Sequence, residues 1–197
     1  MPPERIATAP EHPRDAAKLL HVGATVTDRT VRDLPELLNA GDVLVFNNSR
    51  VIPARLFAEV NGKQVEVLLH QPVKGEGTHW LAFARPAKKL KEGMVLHFAA
   101  DFCATVEGRT EDGQVRLSFA YDAATLFDKL RAHGHMPLPP YIARADGETD
   151  KQDYQTIYAA HDAILDFAMS RRMPESPRTT VVACVIQQAK AFWAHVG

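Results

Sequence analysis

Residues 56–69 read Leu-Phe-Ala-Glu-Val-Asn-Gly-Lys-Gln-Val-Glu-Val-Leu-Leu, and this stretch decides the fold class of the central part of the chain. Polar and apolar residues alternate over 64–67, and Asn61-Gly62 stands just before them as a hairpin turn signal. Alternation with a period of two places every second side chain on the same face of a strand. The stretch therefore predicts antiparallel strands joined by a tight turn.

Short strands are predicted onward from this hairpin to about residue 121. Turn signals, among them Glu111-Asp112-Gly113, separate apolar runs at 80–84, 95–98, 104–106 and 115–119. About six short strands with no helical pattern among them are typical of a small antiparallel β-barrel, whose closure removes free edges. We predict this barrel over residues 57–121. Its buried faces are expected to include Val65, Val67, Leu81, Phe83, Leu117 and Phe119.

The residues before the barrel mix helix and strand signals. An acid, a proline and Glu36 within residues 33–38 predict a short helix, which Gly41 stops. The apolar run at 43–46 has the length of a buried strand, and it leads into a polar segment. This part of the chain therefore predicts a mixed α/β region.

The residues after the barrel return to helical spacing. Residues 123–132 predict a helix that ends at Gly134. Three prolines predict a stiff, extended strip over 135–144, and residues 146–153 are predicted to be an acidic, solvated stretch. The fold class is thus predicted to be a mixed α/β domain, formed by residues 1–56 and 122–159, with the barrel inserted into it.

Composition excludes several classes of protein. The 197 residues carry 23 Lys and Arg against 24 Asp and Glu, so a nucleic acid could be held only by a local patch. Cys103 and Cys184 form no CxxC pair, which argues against a disulfide framework or a thiolate metal site and favours a reducing cytoplasm. No stretch has the length of a membrane span or the pattern of a signal peptide. We expect a cytoplasmic monomer without a metal.

The polar segment Asn47-Asn48-Ser49-Arg50 is the first candidate site. Its amides, hydroxyl and guanidinium suit a ribose, a base edge or an anionic group. The alternative is a strand-to-loop transition in which these side chains bond to nearby backbone.

Three further clusters each have a functional and a structural interpretation. The basic run of Arg85, Lys88, Lys89 and Lys91 could contact RNA phosphates or be a solvated loop. Aromatic and charged side chains could bind a base or a sulfonium, or pack under the proline strip; they are Tyr141, Arg144, Tyr154 and Tyr158. His133 and His135 could act as acid or base, or be an exposed loop pair.

Taken as ordered strings, these clusters resemble the S-adenosylmethionine:tRNA ribosyltransferase-isomerases of queuosine biosynthesis. The most distinctive string is Val-Phe-Asn-Asn-Ser-Arg-Val-Ile-Pro-Ala-Arg-Leu at 45–56, where the family usually has Asp and Thr in place of Asn48 and Ser49. Other matching strings lie at 2–7, 13–15, 33–38, 41–42, 85–90, 134–144 and 153–159.

The resemblance implies an α/β domain with an inserted barrel and a defined reaction. The ribosyl part of S-adenosylmethionine moves onto the aminomethyl group of a deazaguanine in tRNA, giving epoxyqueuosine and releasing adenine and methionine. S-adenosylmethionine is then a substrate, tRNA is a partner, and no metal or redox cofactor is needed. The general base is not assigned. The implied substrate-binding residues are Asn47, Asn48, Ser49, Arg50, Arg55, Tyr141, Arg144, Tyr154 and Gln155.

The resemblance stops near residue 159. The family's next motif, Ala-Ala-Pro-Thr-Ala-Gly-Leu-His-Phe, is absent, and residues 160–197 are predicted to be a divergent tail with a helix at 163–173, a strand at 179–186 and a short terminal helix. We therefore expect the C-terminal part of the α/β domain to be missing or replaced, and the transferase activity to be impaired. The alternative is a non-catalytic RNA-binding or interaction module, or an inert fragment, derived from that enzyme.

Overall fold

The computed structural model describes residues 3–44, 46–73, 78–139, 141–159 and 161–163. Its α-helices are α1 (Leu34–Leu37), α2 (Ala123–His133) and α3 (Asp150–Asp153), and its 3-10 helices are Pro3–Arg5, Arg14–Ala16, Val31–Asp33 and Ala87–Lys89. Its strands are β1 (Lys18–Val22), β2 (Val26–Thr30), β3 (Ser49–Val51), β4 (Arg55–Val60), β5 (Lys63–Pro72), β6 (His79–Arg85), β7 (Val95–Ala99), β8 (Phe102–Arg109), β9 (Val115–Ser118) and β10 (His161–Ala163). The described fold is therefore mixed α/β, as predicted.

Six antiparallel strands form the largest sheet, in the order β4-β5-β6-β9-β8-β7. The two end strands, β4 and β7, contact each other, so the sheet curls into a nearly closed barrel. Asn61 and Gly62 have positive φ values of 52° and 69°, as the predicted tight hairpin requires. The prediction of an antiparallel barrel-like sheet is confirmed, while its insertion into a second domain stays a prediction.

The barrel core follows the alternation in most strands. Four of the six predicted core side chains are at most 2% exposed: Val65, Val67, Leu117 and Phe119. The prediction was wrong for Leu81, which is half-buried, and for Phe83, which is 46% exposed. Residues 80–84 are all apolar, so alternation alone does not say which set faces inward. Pairing of Trp80 with Leu117 on β9 places the other set, Trp80 and Ala82, in the core.

Helix α2 packs against the barrel. The backbone N–H of Thr125 donates to Asp122 Oδ1 at 2.7 Å, so Asp122 caps the first turn. Leu126 and Leu130, four residues apart on one face, are buried in the barrel core. The predicted helix is confirmed, and it covers hydrophobic side chains of the sheet.

Gly134 ends α2 where two segments approach very closely. A Cβ at this position would lie 1.9 Å from the carbonyl oxygen of Pro53, so only glycine fits. The next residue, His135, exchanges both backbone hydrogen bonds with Arg55, at 3.2 and 2.8 Å. Gly134 therefore fixes the position of the 135–144 strip beside the start of β4.

Before the barrel, the helix prediction is confirmed and the strand prediction needs correction. The predicted 33–38 helix begins as the 3-10 turn Val31–Asp33 with a capping box between Thr30 and Asp33, and continues as α1. The described residues of the 43–46 run lie outside strands, so the strand prediction there was wrong. A strand needs a hydrogen-bonded partner, and β10 pairs in parallel with β3 instead.

A second, smaller core lies beside the proline strip. It contains Val51, Met136, Leu138 and Tyr154. The 146–153 stretch was predicted to be solvated, but Asp150 is 4% exposed and the Asp146 side chain is 12% exposed. These two acids are held by polar contacts instead, because Asp146 pairs with His135 and Met136 and Asp150 pairs with Arg144.

Some predictions fall on residues that the structure does not describe. The tail predicted at 160–197 lies outside the described residues except for 161–163, which form β10. Ala163, the last residue of β10, was predicted to begin a helix and lies in this strand instead. Among the described residues, no helix is long and apolar enough to cross a membrane. The domain boundaries stay predictions.

Candidate functional site

The polar segment 47–50 lies at the start of strand β3 and is largely exposed. The Asn47 side-chain oxygen accepts a hydrogen bond from the backbone N–H of Ser49 at 2.8 Å, which is the local role that Asn side chains often take. Asn48 is exposed and makes no hydrogen bond with the described residues. Arg50 is exposed, and its Nη2 reaches the carbonyl oxygen of Ala159 at 3.5 Å. Asn48 and Arg50 thus present polar groups toward solution.

Gln155 binds the backbone of β3 from the side. Its Oε1 accepts from the N–H of Val51 at 2.8 Å, and its Nε2 donates to the carbonyl of Val51 at 2.8 Å and to that of Lys151 at 3.3 Å. Both of its donor hydrogens are therefore used within the protein. Gln155 brings the 154–159 segment beside the polar segment. Its predicted contact with substrate stays a prediction.

Arg144 is held in a bidentate ion pair. Its two terminal nitrogens donate to the two carboxylate oxygens of Asp150, each at 2.7 Å, and further to the carbonyls of Thr8 and Ala145. The Arg144 guanidinium lowers the pKa of Asp150 from its ordinary value, against the opposing effect of burial. Since its terminal nitrogens are engaged inside the protein, Arg144 stabilises the strip. A role with substrate stays a prediction.

Tyr154 and Tyr141 form the aromatic part of the predicted second wall. Tyr154 is 9% exposed, and its hydroxyl makes no hydrogen bond with the described residues. Burial, with a smaller contribution from Tyr141, raises the pKa of Tyr154 to about 12. Burial also raises the pKa of Tyr141. Both phenols therefore remain neutral near pH 7, where a phenol can donate a hydrogen bond.

The Tyr158 ring lies on Phe46, just before the polar segment. Their centroids are 4.1 Å apart, and 43% of Tyr158 is exposed. Residues 46–51 and 154–159 therefore meet at this pair of rings.

Arg55 is the first residue of β4 and contacts the barrel and the proline strip. Its Nε is 3.1 Å from Glu66 Oε1, and its Nη2 donates to the carbonyl of Leu138 at 3.3 Å. These contacts join β4, β5 and the proline strip.

Sequence reasoning missed the pairing of His135 with Asp146. His135 Nδ1 is 3.1 Å from Asp146 Oδ1, and the backbone N–H of Met136 donates to the other oxygen of Asp146 at 2.9 Å. A carboxylate accepts from Nδ1–H, which leaves Nε2 as the nitrogen able to take a proton. The His135 side chain is 46% exposed. The sequence gives no sign of this pair, because an acid eleven positions away in a loop has no fixed relation to the histidine.

His133 has different surroundings, so the two histidines do not form an exposed loop pair. His133 is the last residue of α2, and its Nε2 is 3.1 Å from Asp101 Oδ1. Lys129 also pairs with Asp101. The described residues contain no group of three or more side chains that could hold a metal ion.

The basic run lies on the barrel at the end of β6. Its four cations, Arg85, Lys88, Lys89 and Lys91, are all exposed, and none forms an ion pair with the described part of the chain. Leu90, 4% exposed, fixes the loop to the core between them. The arrangement leaves four positive charges available to an anionic partner.

Comparison with known proteins assigns the family. The sequence profile of a family described as queuosine biosynthesis protein matches residues 1–170. The chain belongs to this queuosine biosynthesis family. The match includes the polar segment, the basic run and the His135–Asp146 pair. The resemblance inferred from ordered strings is therefore confirmed, and the match continues past residue 159, where the resemblance was expected to stop.

Several curated members of the queuosine biosynthesis family share this part of the chain, and each is named S-adenosylmethionine:tRNA ribosyltransferase-isomerase. The protein of Rhodospirillum rubrum is 52% identical over 163 residues, which are 82% of this chain and 47% of the relative. That of Maricaulis maris is 46% identical over 82% of this chain and 49% of its own. That of Hyphomonas neptunium is 42% identical over 90% of this chain and 53% of its own. The chain spans about half the length of these relatives.

A solved structure from the family is also similar in sequence. It is the crystal structure of S-adenosylmethionine tRNA ribosyltransferase from Thermotoga maritima, 34% identical to this chain. The superposition covers 83% of this chain and 54% of that one, with a TM-score of 0.36.

Proposed function

We propose that this chain acts in the reaction for which its relatives are named: transfer of the ribosyl part of S-adenosylmethionine to a deazaguanine in tRNA, with isomerisation. The named relatives match 82% of the chain, which favours an enzyme over a non-catalytic module. The product would be epoxyqueuosine, and adenine and methionine would be released.

The chemistry requires a base. The sulfonium of S-adenosylmethionine acidifies the adjacent ribosyl methylene, so a general base can remove a proton from it and adenine can leave. The aminomethyl nitrogen of the deazaguanine then attacks the opened sugar, and closure of the epoxide expels methionine. Neither a metal nor a redox cofactor takes part in these steps.

The observation that carries the proposal is the His135–Asp146 pair. Asp146 is fixed by its second hydrogen bond, from the Met136 backbone, so it holds the imidazole in one orientation. The nitrogen that remains, Nε2, belongs to a partly exposed side chain and is able to receive the methylene proton. We assign His135 as the base and Asp146 as its positioning residue.

Binding of the donor is assigned to the polar segment. Asn48 and Arg50 are exposed beside the 154–159 segment, where amide and guanidinium donors suit ribose hydroxyls and the methionine carboxylate. The neutral hydroxyl of Tyr154 is a further donor, buried and without a partner among the described residues.

The test is release of adenine from S-adenosylmethionine in the presence of tRNA that carries the aminomethyl-deazaguanine. We expect tRNA-dependent release by this chain, with a turnover below that of the longer Rhodospirillum relative. His135→Gln should lower the rate by about 100-fold or more, the usual contribution of a general base. His133→Gln is the matched control, because His133 is also paired with a carboxylate, and it should keep the rate of the original chain.

Two outcomes would contradict the proposal. Absence of adenine release, with the Rhodospirillum relative active in the same buffer, would refute the activity of this chain. Equal rates for the two histidine variants would refute His135 as the base while leaving the reaction assigned.

A further inference from the structure

The outer face of strands β4, β5 and β6 carries aromatic side chains that do not belong to the barrel core. Phe83 points outward from β6, 46% exposed, with its ring 4.8 Å from that of His70 on β5. Across the sheet, Phe83 is in register with Leu68, which is in register with Arg55. Residues directly opposite each other share a face, so these side chains form one row on the outside of the barrel.

A second row runs beside the first. Phe57 on β4 is in register with Glu66 on β5, which is in register with Arg85 on β6. The His135 ring packs edge-on against Phe57, with centroids 5.0 Å apart. Glu66 is the acid of this row, and it forms an ion pair with Arg55, whose Nε is 3.1 Å from Glu66 Oε1. Each row crosses the three strands β4, β5 and β6, which is two strand spacings or about 10 Å.

The second row leads directly into the basic run. Arg85 ends β6 and belongs to both features. Lys88, Lys89 and Lys91 follow within six positions, and one exposed acid, Glu92, accompanies them. None of the four cations is neutralised by an ion pair with the described residues. An exposed aromatic ring thus lies beside a strip of available positive charge.

We propose that this outer face of β4, β5 and β6, with the loop at 85–91, binds unpaired RNA: bases stack on Phe83 and His70, and phosphates lie along the basic run. Proteins that bind single strands combine aromatic rings for base stacking with cations that follow the backbone. The near-neutral charge of the whole chain makes this local concentration of cations the natural contact for a polyanion. A docking site for a protein would not require four unneutralised cations.

The inference rests on the proposed function, since it assumes that the bound RNA is tRNA and that the bases that stack on this face belong to an unpaired loop of it. It adds a spatial link between binding and chemistry. Phe57 lies in the second row and touches His135, so RNA on this face would be led toward the proposed base.

The probe is fluorescein-labelled tRNA transcript, with binding measured by fluorescence anisotropy and S-adenosylmethionine binding measured separately by calorimetry. Phe83→Ala should weaken tRNA binding by about tenfold, the usual effect of removing one stacking ring. Leu20→Ala, which removes a still more exposed apolar side chain from β1, should leave tRNA binding unchanged.

Charge is tested by the double change of Lys88→Glu and Lys89→Glu. It should weaken tRNA binding and reduce the slope of log affinity against log salt by about one to two units. Lys18→Glu, an exposed change on β1, is the matched control and should leave the slope unaltered. All variants are first checked for an unchanged melting temperature.

The outcomes separate the two proposals. If the original chain binds tRNA and Phe83→Ala binds as tightly as Leu20→Ala, stacking on this face is refuted and the proposed function stands. If the lysine changes leave the salt slope unaltered, the phosphate contact is refuted. If the original chain binds S-adenosylmethionine but no tRNA, both proposals fail.

Discussion

Replacing Asp150 by Asn should destabilise the protein strongly, although Asp150 lies in a short loop-like helix. The carboxylate accepts two hydrogen bonds from Arg144 at 2.7 Å and one from the backbone N–H of Gly147 at 2.7 Å. Asn keeps the size of the side chain but removes its charge, and its amide hydrogens would face the guanidinium. Arg144 also donates to the carbonyl of Thr8. Without the Asp150 carboxylate, the side chain that joins the proline strip to the N-terminal segment would lose the ion pair that holds it in place.

The magnitude follows from the number and type of these bonds. A hydrogen bond to a charged group contributes about 1.5 to 3 kcal/mol, and loss of one partner of a buried pair costs about 3 to 5 kcal/mol. The Arg144 side chain is 37% exposed, so water compensates part of the loss. We expect the free energy of unfolding to fall by about 2 to 3 kcal/mol at neutral pH.

Urea unfolding measures this change, and Glu148→Gln is the control. Glu148 pairs with Lys151 but its side chain is 88% exposed, so that variant should change stability by less than about 0.5 kcal/mol. The pKa of Asp150 is lowered in the folded protein, so its contribution is complete above the unfolded value of about 4 and is lost as pH falls through the lowered one. The difference between the original chain and Asp150→Asn should therefore shrink in acid. A difference below about 0.5 kcal/mol at neutral pH would refute the reasoning.

Three further changes are predicted together. Gly134→Ala should lower the free energy of unfolding by about 3 kcal/mol or more, because the new Cβ would meet the Pro53 carbonyl at 1.9 Å; an unchanged urea midpoint would contradict this. Tyr154→Phe removes a buried hydroxyl with no partner among the described residues, so thermal melting should show equal or slightly higher stability, and a clear loss would reveal an unrecognised partner. Arg50→Ala should weaken binding of S-adenosylmethionine or tRNA by about 1.5 to 3 kcal/mol and leave the melting temperature almost unchanged; a lower melting temperature with intact binding would make Arg50 a structural residue instead.

The barrel was predictable because its signals are local. Asn61-Gly62 adopts the positive φ values that its turn requires, and the alternation around it correctly places Val65 and Val67 in the core. The failure at Phe83 has a physical cause: five consecutive apolar residues fit either face, and only pairing with β9 decides between them.

The site was less predictable because its contacts join distant positions. Gln155 lies 104 positions from Val51, whose backbone it binds, and Arg144 reaches back 136 positions to Thr8. The acids at 146 and 150 look like a solvated stretch in sequence, since composition does not show that His135 and Arg144 face them. The family resemblance identified the family from ordered sequence strings. The contacts that each of these residues makes could be seen only in the folded structure.

The most direct test of the central claim follows the ribose itself. S-adenosylmethionine labelled in its ribose carbons is incubated with this chain and tRNA that carries the aminomethyl-deazaguanine, and the tRNA is then digested to nucleosides and analysed by mass spectrometry. The account predicts label in one modified nucleoside with the mass of epoxyqueuosine, formed by the original chain and by His133→Gln, and at least about 100-fold less by His135→Gln. No label in the tRNA, under conditions in which the Rhodospirillum relative labels it, would contradict the account.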